Sequence, residues 1–195
     1  MKRIFEDSKL AKTSIFYSVD YLNESDTKYW LNHLDSESAI TLYKLSAKQI
    51  EMIWKYFGGS MWEISSFLGE LLGYSKDSII PDNLLDDRIQ HIIKGNCARF
   101  EHYAGISIKK ISLLKEIYKL SEKKNSFRTF DLRSLADKKA YDNTTLQKEL
   151  NKLVQLNYLA FNPTTSTYQL QGKSMFYGLE KFVESMPDDI FVQTG

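Results

Sequence analysis

One apolar stripe near the end of the chain constrains its fold more than any other feature. The stripe has the spacing i, i+4, i+7 and i+8, which places all of its members on one side of a helix. A β-hairpin is predicted directly after it, because two short runs rich in aromatic residues, 158–161 and 167–170, flank an Asn-Pro turn. The helix must therefore bury one face against other helices with a strand pair behind it. The stripe consists of Leu146, Leu150, Leu153 and Val154.

The elements before this helix follow a recognisable order. A helix is predicted over residues 108–123 and a short extended piece over 127–130. Asp131 can cap a second helix, whose inward residues are Leu132, Leu135 and Ala136, and a turn follows at 140–143. Asn143 or Thr144 can cap the third helix, with Gln147 at the capping-box position counted from Thr144. Helix, short strand, helix, tight turn, helix and hairpin form the winged helix-turn-helix arrangement, which we predict for residues 105–195, with a last helix over 174–184.

The first half of the chain predicts a bundle of helices over residues 23–104. Asn23 begins the first helix, and Ser46 with Gln49 fits a capping box that opens the next. Gly58-Gly59 ends that helix, and a third helix is predicted over 61–72. A longer helix starts at Pro81 and runs to about Tyr103, before a break at Gly105. Residues 1–22 read as a tail with one strand-like run over 14–19, and the predicted domain boundary lies at 104–108.

Composition and charge narrow the classes of protein. Hydrophobic residues make up 43% of the 195-residue chain, which is ordinary for a globular protein, so the predicted fold class is mainly α. There is no apolar run of transmembrane length, no signal peptide and a single cysteine, Cys97, so we expect a cytoplasmic protein without a membrane partner. Residues 1–105 carry 12 basic and 15 acidic side chains, whereas residues 106–195 carry 14 and 10. The basic bias of the second half permits contact with nucleic acid.

No catalytic motif is present in the sequence. It lacks a phosphate-binding Gly-x-x-x-x-Gly-Lys string and a Gly-x-Ser-x-Gly elbow. The histidines and the cysteine are spaced too widely for a zinc site, and the two acidic pairs have no partner for acid–base work. We therefore expect this chain to be no enzyme and to hold no metal or cofactor of its own. The residues considered are His33, His91, His102, Cys97, Asp86-Asp87 and Asp188-Asp189.

The third helix of the winged helix predicts a set of DNA-contacting residues. Asn and Gln side chains can pair with adenine edges, and Lys can meet guanine or phosphate. Lys138 and Lys139, near the turn, can reach a backbone phosphate. A solvated polar helix face is the alternative, and residues 158–171 of the wing contain no Lys or Arg. The outward residues of the helix are Thr145, Gln147, Lys148, Asn151, Lys152 and Gln155.

The string Leu45-Ser46-Ala47-Lys48-Gln49-Ile50-Glu51-Met52-Ile53-Trp54-Lys55-Tyr56-Phe57-Gly58-Gly59 resembles the lid region of archaeal-type ATPases, which are P-loop NTPases of the AAA+ and STAND kind. In that family a helical lid follows the nucleotide-binding core, and a winged helix follows the lid. The resemblance implies that this chain is the lid and winged helix without the core, so that ATP and Mg²⁺ belong to the parent ATPase. It also implies that residues 1–22, with Glu6–Leu10 and Phe16–Leu22, are a remnant of the exit from the core sheet into the lid. It also implies that residues of the glycine turn lie near the adenine, although the family proline is replaced by Met61. These residues are Gly58, Gly59, Ser60 and Met61.

Three functions follow as alternatives. In the first, the lid closes over a nucleotide held by a core domain in cis or in trans, and the winged helix serves regulation. In the second, the chain is a freestanding DNA-binding transcriptional regulator. In the third, it is a protein-interaction scaffold. The many aromatic residues, such as Tyr29, Trp30, Tyr56 and Trp62, are consistent with an apolar interface for a partner. Arg88 and Arg99 are the only candidates in the lid helices for a second-sensor arginine.

Overall fold

The structure is a computed structural model that describes residues 21–34, 44–72, 74, 79–133, 135 and 141–186. Within these residues the protein is mainly helical, as predicted, with seven α-helices, one 3-10 turn and a two-stranded antiparallel sheet. The elements are α1 (Glu24–Asn32), α2 (Ala47–Phe57), α3 (Met61–Leu72), α4 (Asp82–Ala104), α5 (Ile108–Lys123), the 3-10 turn (Thr129–Leu132), α6 (Asn143–Gln155), β1 (Leu159–Asn162), β2 (Thr167–Leu170) and α7 (Lys173–Glu184).

Several helix ends lie where their capping residues predict. The Asn23 side chain accepts a hydrogen bond from the Asp26 N–H at 2.9 Å and begins α1. Ser46 and Gln49 form the predicted capping box of α2, with bonds of 3.2 and 3.0 Å. Gly58, with a φ of +59°, ends the same helix in a conformation that favours glycine.

Two helix starts differ from the prediction. Asp142, and not Asn143 or Thr144, caps α6, because its carboxylate accepts the Thr145 N–H at 2.9 Å. Asp131 lies within the 3-10 turn and accepts the Arg128 N–H at 2.6 Å. In both cases an aspartate carboxylate, a stronger acceptor than a neutral amide or hydroxyl, takes the nearby backbone donor.

The first hydrophobic core lies among α1, α2, α3 and the first half of α4. The apolar faces that the sequence spacing indicates are buried here, as the helical period of 3.6 residues requires. Phe57 and Phe67 meet with ring centroids 4.8 Å apart, which joins α2 to α3. The core consists of Trp30, Leu31, Leu34, Ile50, Ile53, Phe57, Ile64, Phe67, Leu68, Leu71, Ile80, Leu85, Ile89 and Ile93.

The second core lies among the end of α4, α5, α6, the hairpin and α7. The predicted stripe is buried in it, with Leu146, Leu150 and Leu153 at most 2% exposed and Val154 packed at its edge. The predicted hairpin is present, with Leu159 opposite Leu170 and Asn162 opposite Thr167. The loop ahead of the 3-10 turn joins this sheet through one bridge, in which the N–H and C=O groups of Phe127 and Tyr168 bond reciprocally at 2.8 and 2.7 Å.

Helix α4 is shared by the two cores. Its first half supplies Leu85, Ile89 and Ile93 to the first core, and its second half supplies Cys97 and Phe100 to the second. The predicted boundary at residues 104–108 stays a prediction, since packing does not separate the halves there. Gly105, with a φ of +52°, ends the helix at the predicted break.

Helix α7 returns from the second core and lies close against α4. A Cβ atom placed on Gly178 would come within 2.4 Å of the Asn96 Cβ and 3.0 Å of the Asn96 backbone. Real Cβ atoms do not approach so closely, so the glycine is what allows the two helices to meet. The contact fixes α7 on the middle of α4.

Candidate functional site

Burial of the leucine stripe directs the opposite face of α6 toward solvent. Thr145, Lys148 and Lys152 are exposed, as predicted, whereas Gln147 and Asn151 are only partly so. Lys138 and Lys139, the predicted phosphate contacts, lie outside the described residues. Helix α6 therefore offers two lysines one helical turn apart.

The amide of Gln147 is engaged within the chain. Its Nε2 donates to the Tyr168 hydroxyl at 2.6 Å and to Asn151 Oδ1 at 3.3 Å, and its Oε1 accepts from the Thr129 hydroxyl at 3.2 Å. These bonds tie α6 to β2 and to the 3-10 turn. Reading an adenine edge would require the amide to exchange these partners for the base.

Thr145 is exposed, but it donates hydrogen bonds to Asp142, the residue that caps α6. Its hydroxyl donates to Asp142 Oδ2 at 2.6 Å, beside the backbone bond to Oδ1. These hydrogen bonds from Thr145 lower the pKa of the Asp142 carboxyl, because they stabilise its charged form. The start of α6 thus carries a fixed negative charge, which suits the positive end of the helix dipole.

Three cations from three helices lie against two buried tyrosines, and Lys148 is exposed one helical turn before Lys152. The Lys110 and Lys152 Nζ atoms lie 5.0 and 5.9 Å from the centre of the Tyr103 ring. The Arg99 guanidinium lies 4.6 Å from the centre of the Tyr158 ring and donates to the Leu156 carbonyl at 3.0 Å. Such positions are attractive because an aromatic face carries partial negative charge. We call Arg99, Lys110, Lys148 and Lys152 the basic face.

One acid lies among these cations. Glu149 accepts a hydrogen bond from the Tyr103 hydroxyl at 2.5 Å. Burial, together with this bond and the charge of Glu149, raises the pKa of Tyr103 far above its ordinary range. Tyr103 therefore stays protonated and holds the carboxylate in place.

The hairpin of β1 and β2, the predicted wing, contrasts with the basic face. At its tip the Asn162 side chain accepts the N–H groups of Thr164 and Thr165 at 2.9 and 3.3 Å, which closes an Asx-type turn. Ser166 follows with a φ of +54°. The tip presents hydroxyl and amide groups without a cation.

The glycine turn between α2 and α3 is packed against the segment that precedes α1. The Leu22 N–H donates to the Gly59 carbonyl at 3.0 Å, and a Cβ on Gly59 would lie 1.8 Å from the Leu22 oxygen. Ser60 is buried, whereas Met61 and the adjacent Trp62 are 45% and 76% exposed. Two large apolar side chains thus face solvent where the chain enters the first core.

A half-buried carboxyl beside this turn was not singled out by the sequence. Glu63 Oε1 accepts the Ser174 hydroxyl at 2.6 Å, and Ser174 in turn accepts from Asn96 Nδ2 at 3.2 Å. Its Oε2 is buried without a hydrogen-bond partner, against the backbone of Gly172. Burial raises the pKa of Glu63, and the bonds from Ser174 and Ser60 oppose this only in part. The local pattern Ser60-x-x-Glu63 indicates a capping box, so it does not reveal that the carboxyl joins α3 to α7.

The second-sensor candidates have partners of their own. Arg88 pairs with Glu70 and stacks on Tyr74, 4.5 Å from the ring centre. Arg99 caps the carbonyl end of α6 instead of pointing at the glycine turn. The structure therefore brings neither arginine to residues 58–61.

A shallow groove lies between α2, α4 and α7. Its volume is about 310 Å³, and the rings of Tyr56 and Tyr177 meet edge to face in its wall, 4.9 Å apart. Two lysines and two glutamates line it, so its charge selects neither anions nor cations. The lining residues are Lys55, Tyr56, Gln90, Ile93, Tyr177, Glu180, Lys181 and Glu184.

The described histidines, the cysteine and the Asp86-Asp87 pair do not form a metal site. Among the described ranges, no group of three His, Cys, Asp or Glu side chains is close enough to hold a metal ion. Cys97 is buried, and burial raises the pKa of its thiol. Asp188-Asp189 lies outside the described residues. Of the helices that the structure describes, none has the length and apolar character to cross a bilayer.

Comparison of the chain with known protein families, with curated proteins and with solved structures finds no match. The likeness to an ATPase lid therefore rests on residues 45–59 and on the order of the elements. Function has to be argued from the surfaces described above.

Proposed function

We propose that the chain is a non-catalytic module, an ATPase-type helical lid joined to a winged helix, that contacts a nucleotide-binding core. The winged helix is supported by α5, α6 and the hairpin, which follow one another in the expected order, while most of the predicted second helix lies outside the described residues. It is also supported by the isolated bridge from Phe127 to Tyr168, which sets the segment after α5 beside the hairpin, where a winged helix has its first short strand.

The observation that carries the lid proposal is the exposed end of the first core. Trp62 and Met61 face solvent beside the glycine turn, and Leu22, where residues 1–20 lead into the helices, is hydrogen-bonded to the same turn. Exposed large apolar side chains that cluster at one place mark a contact surface. A core attached ahead of residue 21 would meet the lid at this end.

Site-specific photo-crosslinking tests the proposal. A photoreactive phenylalanine analogue placed at Trp62 in the intact protein in cells is expected to crosslink to a polypeptide, in cis or in trans, that contains a Gly-x-x-x-x-Gly-Lys-Ser/Thr loop. The same analogue at Ile106, which is fully exposed at the far end of α4, is the control. ATP hydrolysis by the captured core should change when the wild-type chain is present and should change less with Trp62→Ala.

The outcomes separate the alternatives. A crosslinked protein without a phosphate-binding loop, reached from Trp62 and not from Ile106, would contradict the lid proposal and support the scaffold. Equal labelling from both positions would show that Trp62 does not mark a contact surface.

A second candidate function, duplex DNA binding, is favoured by the exposure of Lys148 and Lys152 on α6. Two lysines on the outer face of such a helix can neutralise phosphates. The purified chain should then bind a labelled 20-base-pair duplex at 50 mM salt, with an affinity that falls steeply as salt rises. Absence of any fluorescence anisotropy change at that salt would remove this candidate.

A further inference from the structure

We infer that the basic face, and not the wing, is the surface on which this protein docks the sugar-phosphate backbone of duplex DNA. The inference rests on the second proposed function and assigns the groups that carry it. It also changes the predicted contact set, since it adds Arg99 and Lys110 to the lysines of α6 and leaves out Gln147.

The geometry of the face comes from three helices. Lys110 at the start of α5 and Lys152 on α6 both reach the ring of Tyr103 on α4. Arg99 lies one helical turn before Tyr103, and Lys148 lies one turn before Lys152. Three of the four cations therefore lie against the rings of Tyr103 on α4 and Tyr158 just before β1, which are 6.3 Å apart. Lys148 is exposed on the same helix as Lys152.

The charge of the face is not cancelled by its neighbours. In the part of the chain that the structure describes, no carboxylate forms an ion pair with Lys110, Lys148 or Lys152. Glu149, which follows Lys148 on α6, is hydrogen-bonded to Tyr103. Because these three lysines have no ion-pair partner, the face keeps an excess of positive charge, which attracts a polyanion.

The wing lacks positively charged side chains with which to bind the DNA backbone. Residues 158–171 contain no Lys or Arg, and the Asn162 side chain is occupied by the turn at the tip. Gln147 is likewise bound to Tyr168 and Thr129. Contacts from the basic face would therefore reach phosphates more than base edges, which predicts little preference for sequence.

The size of the effect follows from counterion release. Four phosphate contacts predict a slope of log affinity against log salt concentration of about −3.6. When two contacts are removed, the two that remain predict a slope of about −1.8. The slope can be measured with a fluorescent 20-base-pair duplex between 50 and 200 mM salt.

The decisive variant is the double substitution Lys110→Gln and Lys152→Gln. It removes two charges from two different helices but keeps the long polar side chains, so the fold is expected to survive, as thermal melts would show. Affinity at 50 mM salt should fall at least tenfold and the salt slope should halve. The matched control is Lys44→Gln with Lys94→Gln, two exposed lysines outside the basic face, which should leave both values unchanged.

Other outcomes overturn the inference without removing DNA binding itself. They are wild-type affinity in the double variant, or an equal loss on Asn162→Ala with Thr164→Ala in the wing. Competition by poly-glutamate as effective, per charge, as competition by unlabelled duplex would show that the face takes acidic chains and not a phosphate backbone. Failure of the wild-type chain to bind any duplex would instead remove the second proposed function.

Discussion

The carboxyl of Glu63 occupies an unusual position for an acid. It lies beside Gly172 at the start of α7, with one oxygen bonded to Ser174 and the other without a partner. The phenol of Tyr21 is the titratable neighbour whose pKa it affects, since burial and then the charge of Glu63 raise that pKa. Burial raises the pKa of Glu63 more than the bonds from Ser174 and Ser60 lower it, so at a given pH this carboxyl is protonated to a greater extent in the folded protein than in the unfolded chain.

The pH dependence of stability follows from this raised pKa. An acid with a higher pKa in the folded state ionises first in the unfolded chain, so the free energy of unfolding falls as pH rises from about 4.5 through the folded pKa. Each unit of difference corresponds to about 1.4 kcal/mol. Glu63→Gln should therefore gain stability relative to wild type between pH 4 and pH 8, measured by urea unfolding at a series of pH values.

The control for this prediction is an exposed acid of the same half. Asp87→Asn removes a solvent-facing charge on α4 and should follow the wild-type curve closely. A Glu63→Gln curve parallel to wild type over the whole range would mean that the pKa of Glu63 is unchanged on folding.

Residues of this kind show where sequence reasoning stops. Capping by Asn23 and Ser46, and burial of Leu150, are set by neighbours within a few positions and could be predicted. The partners of Glu63 and Gln147 lie 111 and 21 residues away, at Ser174 and Tyr168. Both side chains are polar, and the solvent-facing residues of their helices are polar as well. The hydrophobic periodicity of the sequence therefore cannot distinguish them from residues that only face solvent.

At the scale of elements, the contact between α4 and α7 depends on a glycine inside a helix. Gly178→Ala should destabilise the protein by about 1–3 kcal/mol, because the added methyl meets the backbone of Asn96 and the helices must separate. Chemical denaturation with circular dichroism would measure it.

Gly95 offers the opposite expectation at a neighbouring site. It also lies inside a helix, but an added Cβ there meets nothing within 4 Å. Gly95→Ala should therefore stabilise the protein by about 0.8–1 kcal/mol through helix propensity alone. A loss of stability in both variants would show that glycine is needed for a reason other than the approach of α7.

The element order was predicted because each helix has its own apolar period. The closeness of α7 to α4 was not, since it depends on where two surfaces far apart in sequence meet. Gly178 reads in the sequence only as a weak point of the last helix. The likeness to an ATPase lid predicts the order of the helices and the hairpin. It does not predict the contact of Arg99, a second-sensor candidate, which instead donates a hydrogen bond to the Leu156 carbonyl at the end of α6.

For the whole molecule, the shared helix α4 predicts that both cores unfold together. All three tryptophans, Trp30, Trp54 and Trp62, lie in the first half, so their fluorescence reports on that half. Leu150→Ala, in the second core, should remove about 2–5 kcal/mol and shift the tryptophan transition as far as the circular dichroism transition. Ile53→Ala, in the first core, is the matched substitution. A tryptophan midpoint left at the wild-type value by Leu150→Ala would mean that the halves unfold separately.

Because α4 runs without a break through both cores, insertions and deletions within it are restricted. A single residue inserted between Ile93 and Cys97 would turn everything beyond it by about 100° around the helix axis and advance it by about 1.5 Å. Ser174 would then leave the reach of Glu63, and α7 would face a different side of its neighbour. Loops elsewhere can lengthen or shorten without such an effect. The helical span between Ile93 and Cys97 cannot, because it fixes the rotation of the second core relative to the first.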